Sequence, residues 1–228
     1  MYTWGPIQRS VAGGSSFTTI FLTHNDAQPY INEVTGSAVT VSINGPTMEL
    51  TTGKFSSGAR TATGYSRTYS RENVSHTFSS DMTLEYQIAR PGGFGVLDGS
   101  NLWSTSFIVQ FDDGSFVQFS EGNFSSSGLF AGFTLESDTE YFELSEYKWT
   151  NSDFHHIAIT LSGSIAKFYI DGVLAVTQSF ASWNLTGRLA TRVYFNYASN
   201  TVVLDEIRVC DGLVYTADFT PPSAPFTI

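Results

Sequence analysis

Cysteine and lysine are scarce in this chain of 228 residues. Cys210 is the only cysteine, which excludes an internal disulfide and a zinc site built from several cysteines. Because Cys210 lies in an apolar segment, we expect it to be a small buried side chain. Lysine occurs only at positions 54, 148 and 167, and the net charge is −10. A chain without a basic patch is a poor partner for nucleic acid or an anionic membrane, so we expect neither.

Long apolar runs are missing as well. No segment approaches the ~18 residues that a membrane-spanning helix needs, so we expect no membrane insertion. The N-terminal sequence MYTWGPIQRS has no basic segment followed by an apolar one, so we expect no secretory signal peptide. The chain is instead rich in Phe, Tyr, Ser, Thr and Gly, which is the composition of strands and turns.

The clearest pattern lies in Phe154–Gln178. Apolar residues alternate with other residues from Ile157 to Leu161 and again from Ala166 to Ile170, which is the period of a half-buried strand. Asp171-Gly172 predicts a tight hairpin, because both central residues of such a turn need φ > 0. The sequence therefore predicts a three-stranded antiparallel meander with one apolar and one polar face.

Short strand patterns and turns alternate along most of the chain, which predicts a sandwich of two sheets. We expect residues 65–80, which are polar, to form a loop or an edge. Residues 90–103 form a predicted glycine-rich loop, and the proline-rich tail at 221–225 cannot join a central strand. The other predicted strands are Thr18–Thr23, Ala38–Ile43, a short one within 53–64, Met82–Ala89, Ser106–Phe111, Phe116–Glu121, Leu129–Glu136, Glu140–Tyr147, Leu189–Tyr197 and Val202–Cys210.

Three blocks carry a family resemblance. His-His-Ile-Ala at 155–158, followed by Phe-Tyr-Ile-Asp-Gly-Val at 168–173, resembles the laminin-G-like (concanavalin A-like) jelly rolls. The block Leu204–Phe226, LDEIRVCDGLVYTADFTPPSAPF, resembles the closing strand and tail of such domains in bacteriophage virion proteins, and Ile20–Thr63 resembles the family's opening. The resemblance implies an all-β jelly-roll sandwich of two antiparallel sheets over residues 17–228, preceded by an N-terminal arm at 1–16.

The same resemblance implies a function. We expect a non-enzymatic module at the virion surface (a fibre, tail or capsid-decorating protein), made in the host cytoplasm and forming a homo-oligomer. Tyr2, Trp4 and Ile7 would dock the arm on other virion proteins, and a frayed terminus is the alternative. The module would bind carbohydrate of the host surface, or it would be a purely structural decoration protein without a sugar ligand.

Candidate sugar-binding residues lie in predicted loops. Aromatic faces stack on sugar rings, and Asn and Asp side chains hydrogen-bond sugar hydroxyls. Each tryptophan could equally be a packed side chain. The candidates are Trp103, with Asp98 and Asn101 nearby, Trp149, with Asn151 nearby, and Trp183.

One motif resembles the catalytic strand of laminarinase-type glycoside hydrolases. Glu136 and Glu140 have the spacing of that family's nucleophile and acid/base. A retaining mechanism needs the two carboxyl groups ~5–5.5 Å apart, whereas positions i and i+4 of a regular strand are ~13 Å apart. We interpret residues 137–139 as a hairpin turn and expect no catalytic residue, with the hydrolase kept as an alternative.

Two further features bear on metal binding. His155 and His156 would point to opposite faces of a strand, so they cannot chelate one metal together. Asp205 has the parity of the apolar residues around it, and a buried carboxylate must be paired, hydrogen-bonded or metal-bound. The resemblance implies a structural Ca²⁺ held by Asp205, backbone oxygens near Gly58 and the loop with Asn25 and Asp26. The alternatives are that Asp205 accepts backbone N–H bonds or pairs with Arg208 or Arg60.

Overall fold

The computed structural model describes residues 9–10, 16–23, 31–35, 37–38, 40–43, 48–55, 57–61, 68–89, 103–123, 130–135, 138–143, 153–180, 184–197 and 203–228. These residues form eighteen β-strands. The strands are β1 (Arg9–Ser10), β2 (Ser16–Thr23), β3 (Ile31–Asn32), β4 (Ser37–Ala38), β5 (Thr40–Ile43), β6 (Met48–Thr52), β7 (Ser57–Thr61), β8 (Thr68–Thr77), β9 (Asp81–Ala89), β10 (Trp103–Phe111), β11 (Phe116–Asn123), β12 (Phe130–Leu135), β13 (Asp138–Glu143), β14 (His155–Ser162), β15 (Ile165–Ile170), β16 (Val173–Ser179), β17 (Leu189–Tyr197) and β18 (Val203–Asp211).

The strands form two large antiparallel sheets. The first has the order β1-β2-β18-β9-β14-β15-β16, with β7 also paired to β18 and β6 paired to β7. The second has the order β13-β12-β11-β10-β17-β8-β5, and β3 pairs with β4 separately. The predicted all-β sandwich of two antiparallel sheets is therefore confirmed. None of the described residues form a helix with the length and apolar character needed to cross a membrane.

The main hydrophobic core lies between the two sheets. Tyr86 of β9 stacks on Phe107 of β10, with ring centroids 4.4 Å apart. Phe168 of β15 stacks on Phe119 of β11 at 5.3 Å. All four rings are at most 3 % exposed. Such buried aromatic pairs add to the free energy gained by removing their apolar area from water, and here they join the sheets directly.

The predicted meander forms β14, β15 and β16. Asp171 and Gly172 have φ values of 49° and 81°, as a tight hairpin requires. The expectation of one polar face is wrong, because residues 156–161 of β14 are all buried. The C-terminal segment lies over this second face and removes it from water.

The C-terminal segment, residues 212–228, contains no strand and runs along the outer face of the first sheet. The N–H of Phe219 donates to the carbonyl of Gly172 at 2.8 Å, and the N–H of Leu174 donates to the Asp218 carboxylate at 2.9 Å. The ring of Phe219 stacks on that of Tyr215, with centroids 3.5 Å apart. The proline-rich end is therefore outside the sheets, as predicted.

A buried ionic cluster holds the segment to the sheet. One oxygen of Glu85 accepts hydrogen bonds from the Arg208 guanidinium, and the other accepts from the Tyr215 hydroxyl at 2.8 Å and lies 3.0 Å from Nε2 of His156. Burial alone would raise the pKa of Glu85. Arg208, followed by His156, outweighs that effect and holds the pKa of Glu85 below its ordinary value. Glu206 fixes the end of the segment by accepting the N–H of Phe226 at 2.7 Å.

Residues 65–80 depart from prediction. Residues 68–77 form β8, which lies inside the second sheet between β17 and β5 rather than in a loop. Of its described side chains only Val74 is buried, and Phe78, just after the strand, is the next core residue. Because so few of its described side chains reach the core, β8 has a polar sequence of the kind that is typical of loops.

Cys210 is a small buried side chain, as predicted. It is 0 % exposed on β18. Burial raises the pKa of its thiol to about 12, so the reactive thiolate is not populated near neutral pH.

Candidate functional site: the open face of the second sheet

The outer faces of the two sheets differ in exposure. The outer face of the first sheet lies beneath the C-terminal segment, where Thr83, Glu85 and Ala158 are fully buried. The outer face of the second sheet is open to solvent where the structure describes it. Its described side chains on β10, β11 and β17 all keep part of their surface exposed, and we call these six residues the open face: Ile108, Gln110, Phe116, Gln118, Arg192 and Tyr194.

Strand register assembles the open face from three neighbouring strands. Ile108 of β10 lies opposite Gln118 of β11 and Tyr194 of β17. Gln110 lies opposite Phe116 and Arg192 in the adjacent row. Directly opposed residues on one face have Cβ atoms about 4.5–5.5 Å apart, so the six side chains form one contiguous patch.

A chain of hydrogen bonds orders the centre of the patch. The Tyr194 hydroxyl donates to Oε1 of Gln110 at 2.8 Å and accepts from Nη1 of Arg192 at 3.3 Å. The hydroxyl thus uses one donor and one acceptor, which fixes the tyrosine ring and the guanidinium in place. Both side chains remain only half-buried.

This arrangement suits a ligand with both apolar and hydroxyl-bearing surfaces. A tyrosine ring offers an apolar face for stacking, and amide and guanidinium groups supply hydrogen-bond donors and acceptors. Ile108 and Phe116 add apolar surface beside them. The patch can therefore stack on a flat ring and hydrogen-bond its polar substituents at the same time.

The open face was not among the predicted sites. The alternation of polar and apolar residues in 106–111 and 189–197 was visible in the sequence and separates Gln110, Arg192 and Tyr194 from the core. The sequence did not show that β10, β11 and β17 are neighbours. It also did not show that the C-terminal segment covers the other sheet and leaves this one open.

The predicted sugar-binding loop residues lie mostly outside the described residues. This applies to Asp98, Asn101, Trp149, Asn151 and Trp183, which stay predictions.

Trp103 is described, and its predicted loop position is wrong. It is the first residue of β10 and is paired with Asn123, because the β10–β11 ladder extends four pairs beyond Phe107. Position 103 shares the alternation of Phe107, Val109 and Phe111, which are buried. Sugar binding by Trp103 stays a prediction.

The docking residues of the N-terminal arm, Tyr2, Trp4 and Ile7, also lie outside the described residues. Within the arm, Arg9–Ser10 form β1, which pairs with the start of β2. This pairing places part of the arm at the edge of the first sheet, and docking of the arm on a partner stays a prediction.

Glu140 of the hydrolase motif lies in β13, whereas Glu136 lies outside the described residues. The β12–β13 pairing continues to Leu135 opposite Asp138. Asp138 and Thr139, predicted to be turn residues, are therefore part of β13. Glu140 lies opposite Phe133, which is opposite the core residue Phe119, and β13 is an edge strand. Position 140 thus has the parity of the inner face rather than of the open face.

The adjacent histidines face different partners, as expected. Nδ1 of His155 lies 2.6 Å from the Asp171 carboxylate, whereas Nε2 of His156 lies 3.0 Å from Glu85. The two rings thus have different partners, although the backbone N–H of His156 also donates to the Asp171 carboxylate at 2.9 Å. Across the described ranges, no three His, Cys, Asp or Glu residues are grouped so that they could hold a metal ion.

Asp205 is fully buried at a β-bulge in β18. One carboxylate oxygen accepts the N–H of Lys54 at 2.8 Å and of Phe55 at 3.4 Å, and the other accepts the N–H of Glu206 at 2.8 Å. Glu206 itself has a left-handed backbone at the bulge, with φ 52°. Burial, followed by the charge of Glu206, raises the pKa of Asp205 to about 6. Of the alternatives considered above, backbone hydrogen bonding is the one observed.

Only some of the predicted calcium ligands lie within the described residues. β7 pairs with β18 through Ala59 opposite Leu204, so Gly58 is adjacent to the start of the bulge at Asp205. Asn25 and Asp26 lie outside the described ranges. Calcium binding at Asp205 therefore stays a prediction.

Several solved structures share the fold of this chain. Domain 4 of AbnA, an extracellular arabinanase from Geobacillus stearothermophilus solved with arabinotriose, is 14% identical with a TM-score of 0.59, over 85% of this chain and 92% of that one. The CBM2 module of the evolved Dit of Lactobacillus casei BL23 phage J-1 is 11% identical with a TM-score of 0.57, over 88% and 98%. The binding domain of botulinum neurotoxin serotype D is 13% identical with a TM-score of 0.57, over 85% of this chain but only 48% of that one.

Sequence comparison identifies the family. No curated protein sequence matches the chain. Residues 95–214, more than half of the chain, match the family model of the concanavalin A-like lectin/glucanases superfamily. This match covers the strands of the open face and the predicted meander, and it agrees with the two antiparallel sheets. The chain therefore belongs to the concanavalin A-like lectin/glucanases superfamily.

Proposed function

We propose that the protein is a non-enzymatic module of a bacteriophage virion that binds carbohydrate of the host surface through the open face of its second sheet. The observation that carries this proposal is the ordered, half-exposed set of Tyr194, Gln110 and Arg192. An aromatic ring held beside amide and guanidinium groups matches the mixed apolar and hydroxyl surface of a sugar.

Two further observations support the sugar ligand. One structural neighbour, Domain 4 of AbnA, was solved with arabinotriose, an oligosaccharide. Glu140 of the hydrolase motif has the parity of the inner face, and Glu136 lies outside the described residues. The proposed binding role of the open face therefore does not depend on Glu140.

The virion context rests on the closing block of the sequence and on one structural neighbour. Leu204–Phe226 resembles the closing strand and tail of phage virion domains, and the CBM2 module comes from a phage protein. The module would act as part of a fibre or tail, or as a capsid decoration, at the virion surface. It would be made in the host cytoplasm, and the arm at 1–16 would attach it to other virion proteins as part of a homo-oligomer.

The test is binding of the purified protein to an array of bacterial surface polysaccharides. We expect saturable binding to at least one polymer and no release of reducing ends from it. A blank array from folded protein would contradict sugar binding and would favour the structural decoration protein. Release of reducing ends that is lost in Glu136→Gln would instead establish the hydrolase.

A second experiment tests the arm. Deletion of residues 1–16 should leave the fold and polysaccharide binding intact but abolish incorporation into virions. Normal incorporation of the deletion variant would contradict the docking role of Tyr2, Trp4 and Ile7.

A further inference from the structure

The open face differs in charge from the rest of the chain. The chain has 21 acidic and 11 basic residues. However, β10, β11 and β17 have no Asp or Glu at the positions that share the parity of Ile108, Gln118 and Tyr194. The acidic residue of β11, Glu121, lies opposite Thr105 and has the other parity. The three central strands thus present a basic residue and no carboxylate on the open face.

Arg192 is the basic residue at the centre of this surface. Its guanidinium makes one hydrogen bond, to the Tyr194 hydroxyl at 3.3 Å, and no ion pair within the described part of the chain. A guanidinium has five N–H donors in a planar fork that matches a carboxylate or phosphate. Arg192 therefore keeps donors for a ligand while Tyr194 limits its conformational freedom.

Arg208 and Arg188, the other two arginines whose side chains the structure describes, are used differently. The Arg208 guanidinium is buried against Glu85, and Arg188 contacts Asp113 at 3.4 Å. Arg192 differs from both because its hydrogen-bond partner is a neutral hydroxyl. A second arginine, Arg71 of β8, is directly opposite Tyr194 in the backbone register.

We infer that the ligand of the open face is an acidic polysaccharide, whose carboxylate or phosphate groups pair with Arg192 while a sugar ring stacks on Tyr194. This inference rests on the proposed function and specifies its ligand class. A chain of net charge −10 repels polyanions in general, so binding of one requires a local site of opposite charge. Charge complementarity of this kind gives specificity and speeds association.

Two matched pairs of polymers test the inference. Polygalacturonate is compared with the same polymer after reduction of its carboxyl groups, and phosphomannan is compared with its dephosphorylated mannan. Each pair keeps the sugar backbone and replaces the charged group by a neutral hydroxyl. We expect the charged member of one pair to bind about tenfold or more tightly, as for a hydrogen bond to a charged group, and to weaken as salt is raised. The pair that responds distinguishes carboxylate from phosphate.

Arg192→Gln should lose about tenfold in affinity for the charged polymer and little for its neutral counterpart. Lys167→Gln is the matched control, since it removes the same charge from the first sheet, where Lys167 bonds to the carbonyl of Thr216. Equal binding of charged and neutral polymers, unchanged by Arg192→Gln, would overturn the acidic ligand and leave the sugar-binding function standing. Absence of binding to all four polymers and to the polysaccharide array would overturn both.

Discussion

The carbonyl oxygen of Phe219 lies 1.9 Å from the position that a Cβ atom on Gly172 would occupy. The same two residues share the hydrogen bond from the Phe219 N–H to the Gly172 carbonyl. Gly172 therefore meets two requirements at once: a hairpin with φ 81° and direct backbone contact with the C-terminal segment. This contact helps to hold the C-terminal segment over the outer face of the first sheet. The outer face of the second sheet is the one that stays open to solvent.

Gly172→Ala should destabilise the protein by about 2–5 kcal/mol, because a left-handed backbone costs ~1–2 kcal/mol for a non-glycine residue and overpacking costs ~1–3 kcal/mol more. Gly187 is the matched control, since it has φ 78° and nothing within 4 Å of its added Cβ. Gly187→Ala should therefore show only the backbone cost. Urea unfolding of both variants measures the difference, and equal losses would contradict the contact with Phe219.

The buried cluster around Glu85 gives a second prediction. Glu85→Gln should lower the free energy of unfolding at pH 7 by roughly 3–5 kcal/mol, because it leaves the buried Arg208 without its carboxylate. Tyr215→Phe removes one of the hydrogen bonds to Glu85 and should cost about 1–2 kcal/mol. Urea unfolding at fixed pH measures both losses of stability.

The pH dependence of this effect has a definite sign. Because the pKa of Glu85 is below its ordinary value of 4.5, the stability from its ionised form is present above pH 4.5 and is lost as pH falls through the folded-state pKa. The difference between wild type and Glu85→Gln should therefore shrink in acid. A difference that is constant from pH 7 to the acid limit of folding would contradict the ion pair.

Asp205 should behave in the opposite way. Its pKa is raised from 3.8 to about 6, so the folded state binds the proton more tightly than the unfolded state. Its contribution is fully present below pH 3.8 and is lost as pH rises through about 6. The melting temperature of the wild type relative to Asp205→Asn should thus increase as pH is lowered from 7 to 4.5. A relative decrease would show that the ionised carboxylate is the form stabilised by folding.

Bound Ca²⁺ would reverse the pH dependence expected for Asp205, because a cation stabilises the ionised carboxylate. If Ca²⁺ is held by Asp205 with Gly58, Asn25 and Asp26, saturating Ca²⁺ should raise the melting temperature and chelator should lower it, as for any ligand bound only by the folded state. Asp205→Asn should abolish the difference. An unchanged melting temperature on chelation would count against the predicted site.

Much of the fold was predictable because its signals are local. Asp171-Gly172 specifies a hairpin through the φ values of two residues, and the alternation in 157–161 specifies a strand. The predictions that failed depend on contacts between residues far apart in the sequence. The second face of β14 is buried by the C-terminal segment, about fifty residues later in the chain. The pattern of residues within β14 does not indicate that another segment covers this face.

The open face was missed for a related reason. Gln110 and Arg192 are far apart in sequence, and only the β10–β17 register brings them together. The predicted sugar-binding rings were tryptophans in loops, whereas the ring at the centre of the observed patch is Tyr194, on a strand. Asp205 is buried, as expected, but the parity argument behind that expectation was wrong, because the bulge places Asp205 opposite Gln87 on the outer face, out of phase with the core residues Ile207 and Val209. Its backbone partners Lys54 and Phe55 could not be derived from spacing.

The most direct test of the account is the affinity of the wild type and of Tyr194→Ala for the same polysaccharide, measured by titration calorimetry. Leu174→Ala is the control, because Leu174 is an exposed side chain on β16 of the first sheet. We predict saturable binding by the wild type and the control, and a loss of about tenfold or more in Tyr194→Ala, as for a central aromatic contact. Binding by folded Tyr194→Ala with unchanged affinity would contradict the assignment of the open face as the carbohydrate site.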